Sequence, residues 1–314
     1  MSGTPLRLGT RRSPMALAQA RQVAEMITAR TGIGVEITGI STAGDVSQEH
    51  LVQIGGTGVF VGALRESLVS GEVDFAVHSL KDLPAGRSAG LTLAAVPRRD
   101  DPWDALAGRD GAKLADLPSA ARIGTGSPRR AAQIRIMRPD LRPVPIRGNA
   151  GTRLAKITSG EVDAVVLAYA GLVRIGRLNV VTQVFGPDEM LPAPGQGALA
   201  VECLASRPDL AELLGCIDDP ASRAATTAER SVLATLQAGC AAPVGAYAAG
   251  TDALRLHAIV AAADGGAALR ASADGPADQA ERLGGEVAAE LLRRGAGMYT
   301  DVSAGHLSNG DDEK

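Results

Sequence analysis

A chain of 314 residues with 45% apolar content has room for two or three domains and the composition of a soluble globular protein. A formal charge of −3 and 2% aromatic residues argue against a nucleic-acid surface; three cysteines without CxxC spacing and four scattered histidines provide neither a disulfide framework nor a metal site. No apolar stretch approaches a membrane span, and Met1–Thr10 lacks the apolar core of a signal peptide, so a cytoplasmic protein is expected.

Over the first two hundred residues short apolar runs alternate with amphipathic segments, the pattern of βαβ units and a mainly parallel sheet. Leu6–Thr10 reads as a strand. Ser13-Pro14 then supplies an N-cap and a first-turn proline for a helix to about Ala29. Val35–Ser41 is the next strand and Val59–Ser70 the next helix. Between them, the polar segment 43–57 contains Gly55-Gly56, lacks periodicity and reads as a lid. Val73–Val77 and Leu91–Val96 are further strands. Asp100–Ala120 reads as a crossover, after which the pattern restarts: strand Arg122–Gly124, helix Pro128–Met137, strand Val144–Ile146, helix Ala150–Thr158, strand Ala164–Ala168. The rigid turn Leu191–Gly197 precedes a strand, Ala198–Glu202, that returns the chain to the first domain. A long helix, Ala221–Gln237, opens an α+β region with strands from Ala242 and a late helix, Ala277–Arg294. The expected fold is α/β, with two α/β domains (4–99 with 197–216, and 100–196), a smaller α+β domain (217–303) and a disordered polar tail (304–314).

Charge is concentrated in one place. Between Arg122 and Arg153 eight arginines face one acid, Asp140, a local excess of seven positive charges. They sit in two turn phrases, Gly124-Thr-Gly-Ser-Pro-Arg-Arg130 and Arg147-Gly-Asn-Ala-Gly-Thr-Arg153, each read as a strand passing into a helix start. Such turns present free backbone N–H groups and a positive helix end, and guanidinium groups add bidentate recognition of carboxylates or phosphates. Arg129 and Arg130 in a first helical turn oppose the macrodipole and call for an anion. The ligand is therefore expected to be small and multiply negative. The G-x-x-x-x-G-K spacing of a nucleotide loop is absent.

Two further phrases carry chemistry. Val77-His-Ser-Leu-Lys-Asp-Leu-Pro84 ends an apolar strand on Lys81 and Asp82, either a surface ion pair or, at the carboxyl end of a parallel strand, a ligand site. Cys240, in Ala238-Gly-Cys-Ala-Ala-Pro243, is either a core thiol or a group placed on an exposed turn to carry a covalent adduct; no neighbouring histidine supports a hydrolase triad. An anion-binding module accounts for the arginines and leaves Asp82 and Cys240 without roles. A phosphate-ester enzyme lacks its metal constellation and its lysine.

Seven phrases in order resemble the porphobilinogen deaminase (hydroxymethylbilane synthase) family: Arg7-Leu-Gly-Thr-Arg-Arg-Ser-Pro14, Gly55-Gly-Thr-Gly-Val-Phe60, Val77–Pro84, Gly124–Arg130, Arg147–Leu154, Leu191–Gly197, and Ala228-Glu-Arg230 with Gly239-Cys240. The resemblance runs from about Leu6 to about Leu292. It implies a monomeric transferase of porphyrin and tetrapyrrole biosynthesis that joins four porphobilinogen units into a linear tetrapyrrole, releasing ammonia at each step. It implies two periplasmic-binding-protein-like domains around a cleft, and a third domain presenting Cys240 with a dipyrromethane cofactor held as a thioether. By the same resemblance Asp82 is catalytic, Lys81, Ser127, Arg129 and Arg130 hold the cofactor, and Arg11, Ser13, Arg147, Arg153 and Arg174 bind substrate carboxylates. No metal, nucleic acid or membrane partner is implied.

Some positions depart from the family pattern. Ala43, Gln53, Thr57 and Gly62 stand where basic residues are common in or beside the lid, Gly126 replaces a frequent serine, and Ala241 a common glutamine. Activity is expected to be retained with altered lid contacts. In steady-state kinetics Thr57→Lys should change turnover little, and a large rise would show the natural lid to be impaired.

Overall fold

The chain passes twice between a pair of sheets, and those two crossings set the architecture. The computed structural model describes residues 4–41, 58–86, 88–239 and 242–300. The lid segment 43–57, Cys240 with Ala241, and the tail 304–314 therefore lie outside the described residues.

In the first sheet, β1 (Leu6–Arg11), β2 (Val35–Ile40), β3 (Phe75–Ser79) and β4 (Leu91–Ala95) are accompanied by α1 (Pro14–Thr31) and α2 (Gly58–Val69). The second sheet begins with β5 (Asp104–Gly108) and β6 (Arg122–Gly124). It continues through α3 (Pro128–Met137), β7 (Arg142–Val144), α4 (Ala150–Thr158), β8 (Ala164–Ala168), α5 (Tyr169–Arg174) and β9 (Gln183–Val184). The chain then returns to the first sheet as β10 (Leu199–Leu204). The strand orders are β2-β1-β3-β10-β4 and β7-β6-β8-β5-β9, the same arrangement twice. In each sheet the first three strands run parallel, and the strand that enters from the other domain, β10 or β5, lies antiparallel to its neighbours. After α6 (Pro208–Leu214), α7 (Pro220–Thr235) leads into an antiparallel sheet, β11 (Val244–Ala249), β12 (Ala253–Ala261) and β13 (Ala268–Pro276), closed by α8 (Ala280–Arg293). Two α/β domains and a smaller α+β domain match the expected class. Among the described residues no helix is long and apolar enough to cross a membrane.

Local chemistry explains the helix starts. Ser13 accepts the Ala16 N–H at 3.2 Å ahead of Pro14, and Gly32, at φ +72°, ends α1 in the left-handed conformation glycine adopts most easily. Ser127 with Pro128 and Asp219 with Pro220 repeat the device at α3 and α7. Ala20, Val23 and Ile27 of α1 bury against Leu8, Phe75, Val77 and Val201 of the first sheet. Ile134 of α3 packs with Leu106, Ile123, Val166 and Phe185 of the second, and α7 and α8 cover one face of the third.

Two segments differ from the sequence reading. Within the segment read as a crossover, Asp104–Gly108 is an interior strand of the second sheet, between β8 and β9. Its small residues show no alternation, and an aspartate at its start argues against burial until its partners are known. β7 covers Arg142–Val144 rather than Val144–Ile146. Pro143 reads as a strand breaker, but β7 is an edge strand, where a missing N–H costs no ladder hydrogen bond.

The crossings run against each other: Asp100 N–H donates to Gly197 O at 3.3 Å. Gly197 has φ +87°, and a Cβ there would lie 2.5 Å from Asp100 O, a backbone atom that cannot swing aside. Gly197→Ala should therefore destabilise the protein by roughly 1–3 kcal/mol, measured as a lowered urea midpoint at unchanged m-value.

Candidate functional site

Every candidate arginine or acid–base residue in the two α/β domains follows the carboxyl end of a parallel strand, where open α/β sheets place their ligands. Arg11 ends β1 and Ser13 caps α1. Lys81 and Asp82 form the turn after β3, Ser127, Arg129 and Arg130 follow β6, Arg147 and Arg153 follow β7, and Arg174 follows β8. These ends face one another across the two domains. Met15, in the first turn of α1, approaches so closely that its Cε would lie 3.2 Å from a Cβ on Gly171 of α5.

At the centre lies an acid between two arginines. Asp104 is fully buried, with Arg129 and Arg130 3% and 6% exposed. Asp104 Oδ2 is 2.7 Å from Arg129 Nη1, and Asp104 Oδ1 accepts from Arg130 Nε at 2.9 Å and Nη2 at 2.7 Å. Burial by itself would raise the Asp104 pKa; the two guanidinium groups outweigh it and hold the carboxyl well below the usual carboxylate range. The stability it confers is thus present above the ordinary carboxylate pKa and is lost only as pH falls through the depressed folded value, in strong acid. Arg129 also donates from Nη1 to Leu191 O at 2.7 Å, and Arg130 from Nη1 to Val166 O at 3.1 Å. The anion that two arginines at a helix start call for is therefore supplied in part by the protein itself. It comes from β5, in a segment whose sequence gives no sign of being a strand.

Lys81 reaches this centre through Gln196. Its Nζ donates to Gln196 Oε1 at 3.1 Å, while Gln196 Nε2 donates to Asp104 Oδ1 at 2.8 Å and to Pro102 O at 2.7 Å. Burial, then the charge of Arg130, brings the Lys81 pKa down to about 8, with Asp82 and Asp104 opposing. A lysine whose folded pKa is depressed disfavours folding at lower pH, and that penalty is relieved as pH rises from about 8 towards the ordinary value of 10.5. Asp82 is exposed, and among the described residues it makes no hydrogen bond or ion pair. Its turn is held from the third domain: Arg230 of α7 donates to Leu80 O and Leu83 O, both at 3.0 Å, and to Pro84 O.

The remaining candidates spread around this core. Arg174 pairs with Asp100 at 2.8 Å and donates to Gly197 O at 2.8 Å, bracing the crossings. Arg153 is half-buried and donates to Gly148 O at 2.8 Å; burial, then Arg130, lowers its pKa. Arg147 is exposed, Arg11 half-buried, and Ser127 caps α3 by accepting from Arg130 N at 3.4 Å. Three of the cluster's four other arginines serve the fold: Arg122 pairs with Asp163, Arg138 with Asp140, and Arg135 donates to Ala263 O of the third domain. Gly239 O accepts from Ala242 N at 3.0 Å, joining the residues on either side of the undescribed Cys240 segment.

A family-wide sequence model described as porphobilinogen deaminase, dipyromethane cofactor binding domain, matches residues 6–212, and a second, porphobilinogen deaminase, C-terminal domain, matches residues 224–293. The chain belongs to the porphobilinogen deaminase family. The porphobilinogen deaminase of Thermobifida fusca is 57% identical over 97% of this chain and 99% of its own, and porphobilinogen deaminase 1 of Streptomyces coelicolor is 53% identical over 94% and 97%. Among solved structures, a periplasmic substrate-binding protein of an ABC transporter from Coxiella burnetii aligns with 69% of this chain and 94% of its own, with 17% identity and a TM-score of 0.44.

The residues fit the cofactor that the family description names. Lys81, Arg129, Arg130 and Arg153 are crowded cations around the buried acid Asp104, and among the described residues Arg129 Nε is buried without a hydrogen-bond partner. Burial and mutual repulsion weaken the hold of Lys81 and Arg153 on their protons, a cost that carboxylates of a ligand would relieve. In this porphobilinogen deaminase family member sequence reasoning missed Asp104, Gln196, Arg99 and Glu229. Of these, Gln196 and Glu229 lay inside phrases already singled out, while Asp104 and Arg99 had no local signal. Asp104→Asn should leave two buried guanidinium groups without their anion and lower unfolding free energy by about 3–5 kcal/mol, read by urea denaturation.

Proposed function

We propose that this chain is a hydroxymethylbilane synthase acting in porphyrin biosynthesis, as a cytoplasmic monomer built from domains 4–99 with 197–216, 100–196 and 217–303. It condenses four porphobilinogen units head to tail into a linear tetrapyrrole and releases ammonia at each addition. The observation that carries this reading is the surplus of cations around the buried acid Asp104, where the strand ends of both sheets meet. Each porphobilinogen adds two carboxylates, so a growing chain suits a cleft whose positive charge exceeds what its own acids neutralise.

A dipyrromethane cofactor attached by thioether to Cys240 would supply the free pyrrole carbon to which the first unit is joined, each later unit joining the ring last added. Lys81, Arg129 and Arg130 bind its acetate and propionate groups, with Ser127 at the α3 start presenting its hydroxyl. Arg11, Ser13, Arg147, Arg153 and Arg174 bind those of the incoming unit and the lengthening chain. At each addition the substrate's carbon–nitrogen bond breaks and ammonia leaves; a carbon–carbon bond forms to the pyrrole, which then loses a proton from the attacked carbon. Asp82 is the acid–base group. Its exposed carboxylate, on a turn braced by Arg230, accepts pyrrole N–H groups and stabilises the positive charge that develops as ammonia departs.

Intact mass and peptide mapping of freshly purified protein should find two linked pyrroles on Cys240. A Cys240 that stays bare after incubation with porphobilinogen would leave a binding protein on this scaffold. Asp82→Ala should retain the adduct while turnover falls by about a hundredfold or more, in a fixed-time assay of the tetrapyrrole product.

A further inference from the structure

The side chain of Gln196 touches both halves of the site. The residue is 1% exposed and stands between Gly195 and Gly197, both in the left-handed region. Its amide nitrogen is anchored on the second domain, at Pro102 O and Asp104 Oδ1, and its amide oxygen accepts from Lys81 of the first domain at 3.1 Å and lies 3.4 Å from Arg130 Nη2. Both ends of the Lys81 contact are secured from α7. Glu229 binds Arg99 through two hydrogen bonds, of 2.6 and 3.0 Å, and Arg99 donates from Nε to Gln196 O at 2.8 Å. Arg230, the next residue, holds the carbonyls of the Lys81 turn. A Cβ on Gly195 would lie 3.4 Å from Lys81 N, so the Gly195 backbone runs close beside the Lys81 turn.

We propose that Gln196 is the positioning residue for Lys81: anchored through its nitrogen on Asp104, it presents its oxygen to the ammonium group and couples the lysine to the Arg129–Asp104–Arg130 centre. The charged groups facing Lys81 are Asp82 on its own turn, Asp104 on β5, and Arg129 and Arg130 on α3. Asp82 and Asp104 act on it through space, whereas Gln196 is its hydrogen-bond acceptor. An amide is suited to the place because it accepts from Lys81 at one atom and donates to Asp104 at the other, which a carboxylate could do only by taking up a proton. The neutral bridge favours the ammonium form of Lys81 against burial and the charge of Arg130, and aims it at an incoming carboxylate.

The inference rests on the proposed role of Lys81 in holding the cofactor, but its test does not require turnover. Competitive labelling of lysines with isotopic acetic anhydride across pH, read by peptide mass spectrometry, gives the Lys81 titration directly. In Gln196→Met, of similar size but without an oxygen or N–H, the acid dissociation constant of Lys81 should rise about tenfold as the ammonium loses its acceptor. Gln196→Asn keeps the amide but is one methylene shorter; anchored on Pro102 and Asp104, its oxygen falls short of Lys81, and a shift in the same direction is expected. The alkaline limb of the activity profile should move to lower pH with it. An unchanged or raised Lys81 pKa in whichever variant folds would overturn the proposal. A shifted Lys81 in the variants, together with a wild-type protein that shows no deaminase activity, would sink the functional reading and leave this one standing.

Discussion

The site depends on one buried carboxylate. Asp104 lies on an interior strand of the second sheet and neutralises two guanidinium groups that would otherwise be charged, desolvated and close together. Isolated charges do not survive burial, whereas paired and hydrogen-bonded ones do. The pairing also sets geometry, since both Asp104 oxygens are engaged and Arg129 and Arg130 are further held by the carbonyls of Leu191 and Val166. Two arginines share one acid, so the centre keeps a net positive charge after the fold has satisfied itself.

The third domain acts as a brace for the crossings. Glu229 is fully buried, pairs with Arg99 of the first crossing and accepts N–H groups from Gly195 of the second and from Ala248 of β11. Arg99 also stands 5.7 Å from the ring centroid of Tyr247, which packs on Trp103. Adjacent residues on α7 thus secure the crossings and the turn bearing Lys81 and Asp82, so the α+β domain shapes a site that lies between the other two. Arg174, through Asp100 and Gly197 O, ties the crossings from the second domain. Arg174, proposed to bind a substrate carboxylate, is also part of the brace, which would link that carboxylate to the geometry of both domains.

Other ionic clusters stabilise without entering the cleft chemistry. Glu202 on β10 is held by Arg65 and lies near His78. Burial would raise its pKa, but these partners bring it down to about 2, so its contribution is present above the ordinary glutamate range and fades as pH falls towards that value. It joins β10, the strand that returns from the second domain, to β3 and to α2.

Much of this was legible in sequence because local signals are short-range. Ser-Pro caps, the repeated βα alternation and the arginine phrases are dictated within a few residues, and they named the strand ends where the site forms. The ordered phrases also named the family. What the sequence could not reveal was pairing across distance. Asp104 looked like part of a linker because an acid belongs inside only when its partners, twenty-five and twenty-six residues on, fold over it. The strand was read as beginning at Val144, whereas it runs through Pro143, because the edge position that tolerates a proline is a property of the sheet. Gln196 was a letter in a turn until tertiary structure put Lys81 and Asp104 on its two atoms. The sequence by itself determined the elements, the charge surplus and the family; only the tertiary structure decided which arginines the protein neutralises internally and which it leaves for a ligand, because that depends on burial and distance between residues far apart in the chain.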